Sequence, residues 1–257
     1  YASTAELYGW VAVMDFDTTI LLILVGIAAA LYSSVGQGGG SGYLAAMVLL
    51  GLAPEVMKPS ALAMNVAVTA LSLGIMRGWK VIPGKLFLPL TLSSIPTALI
   101  GGYYLPSSAV YAYLVGGSLL VASLSLFRGQ APRLRSGSPS GLQLSAVGAT
   151  LGLVSGLSGV GGGIFLGPIV LLAGWAELSA TLAMTAAFIL LNSAAALVGF
   201  GLSGLEWPAE LPAMIVSVLL GAFVGTCGAR KYLGSTALRR ILGSVLLFSA
   251  IRMLVTA

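Results

Sequence analysis

Gly36-Gln37-Gly38-Gly39-Gly40-Ser41-Gly42 opens a short apolar segment of about residues 42–52, and Ser158-Gly159-Val160-Gly161-Gly162-Gly163 opens another of about 163–174. Neither segment can cross a bilayer alone, because a spanning helix needs about 20 apolar residues. Glycine tolerates a positive φ and so permits a sharp reversal of the chain. Irregular backbone survives at membrane depth only where protein buries it or a wet cavity runs beside it. Two matched breaks of this kind therefore predict two discontinuous helices facing each other inside a membrane protein.

The rest of the chain fits that frame. Of its 257 residues 58 % are hydrophobic and only 7 % are charged, against roughly 25 % charged in a soluble domain. Mean hydropathy is +1.04. Such a chain could not face water without very large exposed apolar patches. The long apolar runs are about 18–35, 60–76, 86–105, 108–127, 142–157, 179–200, 208–229 and 236–255. Trp10, Trp79, Trp175 and Trp207 stand at or near run ends, the headgroup level that amphipathic rings prefer. The expected fold is all-α, a polytopic transmembrane helical protein surrounded by lipid.

The halves repeat. Beyond the glycine clusters, Ser60-Ala-Leu-Ala-Met-Asn65 matches Ala180-Thr-Leu-Ala-Met-Thr185, Trp79 answers Trp207, and Tyr104-Leu105 answers Tyr232-Leu233. Charge differs between equivalent loops. Arg77, Lys80 and Lys85 face Glu206 and Glu210, whereas uncharged Pro106-Ser-Ser108 faces Arg230, Lys231, Arg239 and Arg240. Cytoplasmic loops collect Lys and Arg, so equivalent loops are expected on opposite sides, as in an inverted-topology repeat. That requires an odd number of segments per half, and five each are found: three full spans plus a glycine-broken pair. The expected organisation is an external N-terminal segment 1–17, a first transmembrane repeat 18–127, a cytoplasmic linker 128–141 with Arg128, Arg133 and Arg135, and a second repeat 142–257. Both termini are expected outside.

Several functions are excluded by what is missing. The net charge of +5 forms no basic stripe, so no nucleic-acid partner is expected. There is no histidine, and Cys227 is the single cysteine. No disulfide within the chain, metal centre or cofactor is expected. Gly156-Leu-Ser-Gly159 and Gly39-Gly-Ser-Gly42 superficially match a membrane serine protease motif, but no histidine can activate the serine. No G-x-G-x-x-G follows a strand. The chain is not read as an enzyme. Residues 1–17 carry Glu6, Asp15 and Asp17 and no basic residue, unlike the start of a signal peptide.

The candidate binding residues gather at the breaks. A short helix starting at a glycine break presents uncapped N–H groups and a positive dipole end, which attracts anions. Gln37, Gly38, Gly39, Gly40 and Ser41 at the first break, and Ser158, Gly161, Gly162 and Gly163 at the second, are predicted to line the site. Asn65, Thr185 and Asn192 lie deep in apolar runs, where a polar group without a partner is costly. They are predicted to hold substrate oxygens. The remaining hydroxyls, including Ser33, Ser34, Ser155 and Ser193, are read as hydrogen bonds between helices. Lys58 beside Glu55 is read as part of a solvated turn in preference to the lining of an entrance, Arg252 as snorkelling near the C-terminal end, and Glu177 as interfacial. No carboxylate sits mid-segment for a proton relay.

The doubled pattern of a glycine cluster, a short helix and Ala-Leu-Ala-Met-Asn65 or Thr-Leu-Ala-Met-Thr185 resembles the sulfite exporter TauE/SafE family, also called the 4-toluene sulfonate uptake permease family. Gly228-Ala-Arg-Lys-Tyr-Leu233 with Leu238-Arg-Arg-Ile-Leu-Gly243 is similar to a closing stretch of that family, and Glu206-Trp207 echoes its acidic-Trp turn. The resemblance runs over about residues 18–255. It implies transport of sulfite, a sulfonate or a related organosulfur anion across a bacterial inner membrane, and the paired breaks are expected to carry it by alternating access. Gln37 departs from the small or apolar residue found at Val160, which argues against a fully symmetric substrate pose. Export is the favoured direction, because a negative charge leaving an inside-negative cell gains about 2.3 kcal/mol per 100 mV. The rival readings are a permease for sulfate, thiosulfate, a carboxylate or another small solute, and a membrane scaffold with no flux of its own. The oligomeric state is not legible.

Overall fold

In lipid every backbone polar group must find a partner within the protein, so apolar runs of this length fold as helices. The computed structural model describes residues 16–34, 37–76, 78–128, 139–228 and 236–255. Among them are ten α-helices: α1 Phe16–Ser33, α2 Gly40–Leu49, α3 Pro54–Met76, α4 Gly84–Tyr103, α5 Ser108–Arg128, α6 Gly141–Ser158, α7 Gly163–Leu172, α8 Leu178–Leu202, α9 Leu211–Gly228 and α10 Thr236–Val255. A 3-10 turn, Gly78–Val81, joins α3 towards α4. No strand occurs among the described residues. Five helices among the described residues are long and apolar enough to cross a membrane: Pro54–Ile75, Gly84–Tyr103, Ser108–Ser125, Gly141–Ser158 and Leu178–Leu202. The segment 1–17 apart from its last two residues, most of the linker 128–141, and Arg77, Arg230, Lys231, Tyr232 and Leu233 lie outside the described residues.

The ten helices fall into two sets of five with matching lengths: 18, 10, 23, 20 and 21 residues against 18, 10, 25, 18 and 20. Their packing partners also correspond. The closest pairs are α4 with α6 and α1 with α9, which interchange when the sets are swapped, while α3 with α8 and α5 with α10 map onto themselves. Small residues allow these contacts. Methyl groups on Gly148, Gly152 and Gly156 of α6 would lie 2.1, 2.3 and 2.3 Å from the Leu90, Ser94 and Ala98 carbonyl oxygens of α4. The register rises together in both helices, so they run the same way. On α9, Gly221 and Gly225 approach Gly26 and Ala30 of α1 as closely, again in parallel register. In contrast, Ser123 donates to the Gly243 carbonyl at 2.8 Å while Gly116 lies against Leu254, which makes α5 and α10 antiparallel. Backbones this close gain dispersion contacts that lipid tails cannot match.

Helix α3 starts six residues ahead of its expected apolar run and takes Glu55 and Lys58 into the helix. Proline suits a first helical position, and Glu55 in the first turn complements the helix dipole. Lys58 corrects the reading of a solvated turn. Its side chain is fully buried, and its ammonium donates to the Gly101, Gly102 and Tyr104 carbonyls at 2.9, 2.9 and 2.6 Å. Those are the orphan carbonyls at the C-terminus of α4, where a cation is favoured. A carbonyl trio distant in sequence removed the need for water.

Candidate substrate site at the paired helix breaks

The two breaks are built alike. Gly39, at φ 96°, precedes α2, and Gly162, at φ 74°, precedes α7; neither helix start receives a side-chain cap. Gly161 and Gly159 are also left-handed, at φ 86° and 82°, a conformation that costs an L side chain about 1–2 kcal/mol. The leading amides of α2 and α7 therefore lack a capping oxygen, and both helices point a positive dipole end at the break.

The breaks meet at Asn65, near the middle of α3. A methyl on Gly40 would sit 2.5 Å from the Val160 carbonyl oxygen and 2.7 Å from Asn65 Nδ2; one on Gly38 would lie 2.9 Å from Asn65 Oδ1, and one on Gly161 2.8 Å from Asn65 Nδ2. Asn65 Nδ2 donates to the Gly159 carbonyl at 3.2 Å. One amide thus touches both halves of the molecule. Ile189 of α8 closes the other side, with its branch carbons 3.1, 2.9 and 2.4 Å from the positions a methyl would take on Gly38, Gly161 and Gly163. Since Leu73 and Gly78 lie with Ala183 while Asn65 lies with Ile189, α3 and α8 run antiparallel across this point.

Buried oxygen atoms without partners collect here. Asn65 Oδ1, Ser155 Oγ, Thr185 Oγ1 and Ser193 Oγ, whose residues lie against glycines of the breaks, are unbonded, as are Ser60 Oγ, Thr91 Oγ1 and Asn192 Oδ1. Each such group costs of the order of 1–3 kcal/mol, so a set of four around the breaks is a signal for a polar occupant. The reading of Ser155 and Ser193 as hydrogen bonds between helices is thereby corrected: the glycines opposite them offer no side-chain acceptor. Ser33 does follow that reading, donating to the Ala222 carbonyl at 3.2 Å.

The expected residues divide by whether their polar atoms are bonded within the protein. Gly38, Gly39, Gly40, Gly161, Gly162 and Gly163 are buried at the breaks, and Gln37 is half-buried at the rim. Asn192 Nδ2 is held by the Phe188 carbonyl at 2.9 Å, leaving its oxygen unbonded. Ser41, in contrast, shares a hydrogen bond of 2.8 Å with Tyr32 OH. Ser158 Oγ donates to the Val154 carbonyl at 2.7 Å and accepts from Val160 N at 3.2 Å. These two hydroxyls shape the breaks. Two tyrosines unnoticed in the sequence do the same: Tyr43 OH donates to the Gly38 carbonyl at 2.5 Å, and Tyr111 OH donates to the Ser158 carbonyl at 3.2 Å. A buried tyrosine must find an acceptor, which was the available signal.

Beside the breaks lies a cavity of about 590 Å³ lined by Ser72, Leu73, Gly78, Val81, Glu177, Leu178, Ser179, Leu182, Ala183 and Ala186. It occupies the cleft between the C-terminal part of α3 and the N-terminal part of α8. Val81 and Leu178 at its rim are 50 % and 43 % exposed, so it reaches the surface. Its size lies in the range of small-molecule sites.

Comparison with known proteins adds a family. The family model described as Sulfite exporter TauE/SafE matches residues 21–253. A curated relative, the "Probable membrane transporter protein y4hK" of Sinorhizobium fredii (strain NBRC 101917 / NGR234), is 34 % identical over 249 residues, which cover 94 % of this chain and 100 % of the relative. No solved structure matches the chain.

Proposed function

The chain belongs to the sulfite exporter TauE/SafE family of membrane transporters, and from that premise we propose that it exports a small sulfur-containing anion, sulfite or a sulfonate, through the paired helix breaks. The observation that carries this reading is the meeting of two uncapped helix N-termini at Asn65 among unpartnered buried groups. The dipole ends select negative charge. Thr185, Ser193 and Ser155 carry hydroxyl protons for substrate oxygens, and rotation of the Asn65 or Asn192 amide would offer Nδ2 to the substrate at the cost of its bond to the Gly159 or Phe188 carbonyl. Burial strengthens each of these interactions over its value in water.

The mechanism we propose is alternating access between two inverted repeats, 18–127 and 142–257. It is supported by the matched helix lengths and by the antiparallel course of the equivalent pairs α3 with α8 and α5 with α10. With the linker 128–141 cytoplasmic and the protein in the bacterial inner membrane, the potential drives a dianion outwards by about 4.6 kcal/mol per 100 mV. No coupled proton is then needed. Uptake would need a co-transported cation, and Glu55 and Glu177 are the carboxylates within reach of such a role.

The competing reading is a scaffold that moves nothing; the tight contact between Gly40 and the Val160 carbonyl favours it. Flux separates the two. Purified protein in proteoliposomes is expected to move sulfite or a sulfonate faster than empty vesicles, and faster than sulfate, thiosulfate or a carboxylate. Movement of none of these anions under either polarity of the potential would leave the scaffold.

A further inference from the structure

Ile189 occupies an unusual place for an aliphatic side chain. It is 4 % exposed and fills the room opposite glycines of both breaks, Gly38, Gly161 and Gly163. On one side of it lies the 590 Å³ cavity, whose lining includes Ser179, Leu182, Ala183 and Ala186 of the same helix. At 3.6 residues per turn these residues form one stripe, which Leu190 and Ser193 continue, with Ile189 on its flank about one turn beyond Ala186. On the other side lie the fully buried, unpartnered oxygens of Asn65 and Ser193. A methyl on Gly161 would touch Ile189 Cγ2 at 2.9 Å, Asn65 Nδ2 at 2.8 Å and Ser193 Oγ at 3.4 Å, so the apolar branch and the polar groups are direct neighbours.

We propose that Ile189 is the apolar gate between this cavity, acting as the vestibule, and the anion site at the breaks. The inference rests on the reading of the breaks as that site. An apolar group at this position withholds water and ions from the helix ends until α8 shifts or the side chain changes rotamer. Desolvated polar groups beyond it then meet only a solute able to replace its own hydration, which makes Ile189 a residue that sets which ions pass. The absence of a side chain on Gly38, Gly161 and Gly163 gives the branch room to sit there. Its own Cδ1 and Cγ1 lie nearest Gly163, 2.4 and 2.5 Å from the position of an added methyl.

The test reads accessibility, so its result is independent of which anion is carried. Ser193→Cys and Leu182→Cys are made singly in a Cys227→Ser background, and their modification by a small charged thiol reagent is timed in membranes. Leu182→Cys, in the vestibule, is expected to react readily, and Ser193→Cys to be protected. Adding Ile189→Ala should raise the Ser193→Cys rate by at least about tenfold while leaving Leu182→Cys unchanged. Ile189→Val, which removes only the terminal carbon facing Gly163, should fall between. The Leu182→Cys rate reports whether the fold survives; if Ile189→Ala alters it, the Val variant decides. Ser193→Cys as reactive as Leu182→Cys in the parent, or unmoved by a variant that keeps the Leu182→Cys rate, overturns the gate. Absence of anion flux from the Cys227→Ser parent itself, with the labelling pattern intact, would instead count against the transport reading.

Discussion

Asn65 and Lys58 are both buried polar residues on α3, seven positions apart, and their chemistry assigns them opposite roles. Lys58 is saturated: its three protons meet three carbonyls at the end of α4. Asn65 is half-used, with Nδ2 bonded and Oδ1 free. Lys58→Met should therefore lower stability by about 3 kcal/mol, because several carbonyls lose their donor inside the protein, while flux per folded molecule is kept. Asn65→Ala should change stability by less than about 1.5 kcal/mol, the net worth of one hydrogen bond, yet cut flux at least about tenfold. Thermal unfolding in detergent beside flux in proteoliposomes checks both. The reverse pattern would make Lys58 the ligand. The sequence displayed Asn65, since an amide in an apolar run is conspicuous. It concealed the partners of Lys58, which lie 43 to 46 positions away and are backbone carbonyls without any side-chain signature. Ile189 was hidden for a different reason: one isoleucine among many apolar neighbours carries no pattern, and only the glycines facing it reveal its place.

At the scale of elements, the breaks depend on left-handed glycines. Gly39→Ala and Gly162→Ala should each destabilise the protein by about 1–2 kcal/mol from backbone strain alone, with more at Gly39, where the new methyl would also meet Tyr43 OH at 2.7 Å. Gly74→Ala on α3 is the control. Nothing lies within 4 Å of its added methyl, so the change should be smaller than about 1 kcal/mol. Equal losses at all three positions, read by thermal unfolding, would remove the special role of the breaks. The breaks and the short helices after them were legible because glycine clusters interrupt long apolar runs twice. The true start of α3 was less so: Glu55 and Lys58 look like a loop until the carbonyls that receive Lys58 are seen. The glycine stripe of α6, at Gly148, Gly152 and Gly156, is equally plain in sequence, but its partner on α4 is fixed only by the packed structure.

The described residues form two sets of five helices whose closest pairs interchange on swapping the sets. Repeated sequence pieces led to the expectation of a duplication, since several matched motifs in the same order survive even a biased composition. The sidedness rests on charges such as Arg77, Arg230 and those of the linker, and predicts that Arg133→Cys in a Cys227→Ser background is labelled by a membrane-impermeant thiol reagent only after the membrane is opened. Labelling in intact cells would reverse the topology, though not the outward drive that an inside-negative potential places on an anion. The central claim, however, is that an anion sits where the two breaks meet. Selenite, the heavier congener of sulfite, allows that to be observed directly by anomalous diffraction at the selenium edge from crystals soaked in it. The account predicts a peak within hydrogen-bonding distance of the leading amides of α2 and α7 and of the Asn65 side chain. A peak confined to any other place, with the breaks unoccupied while the same protein transports sulfite, would contradict it.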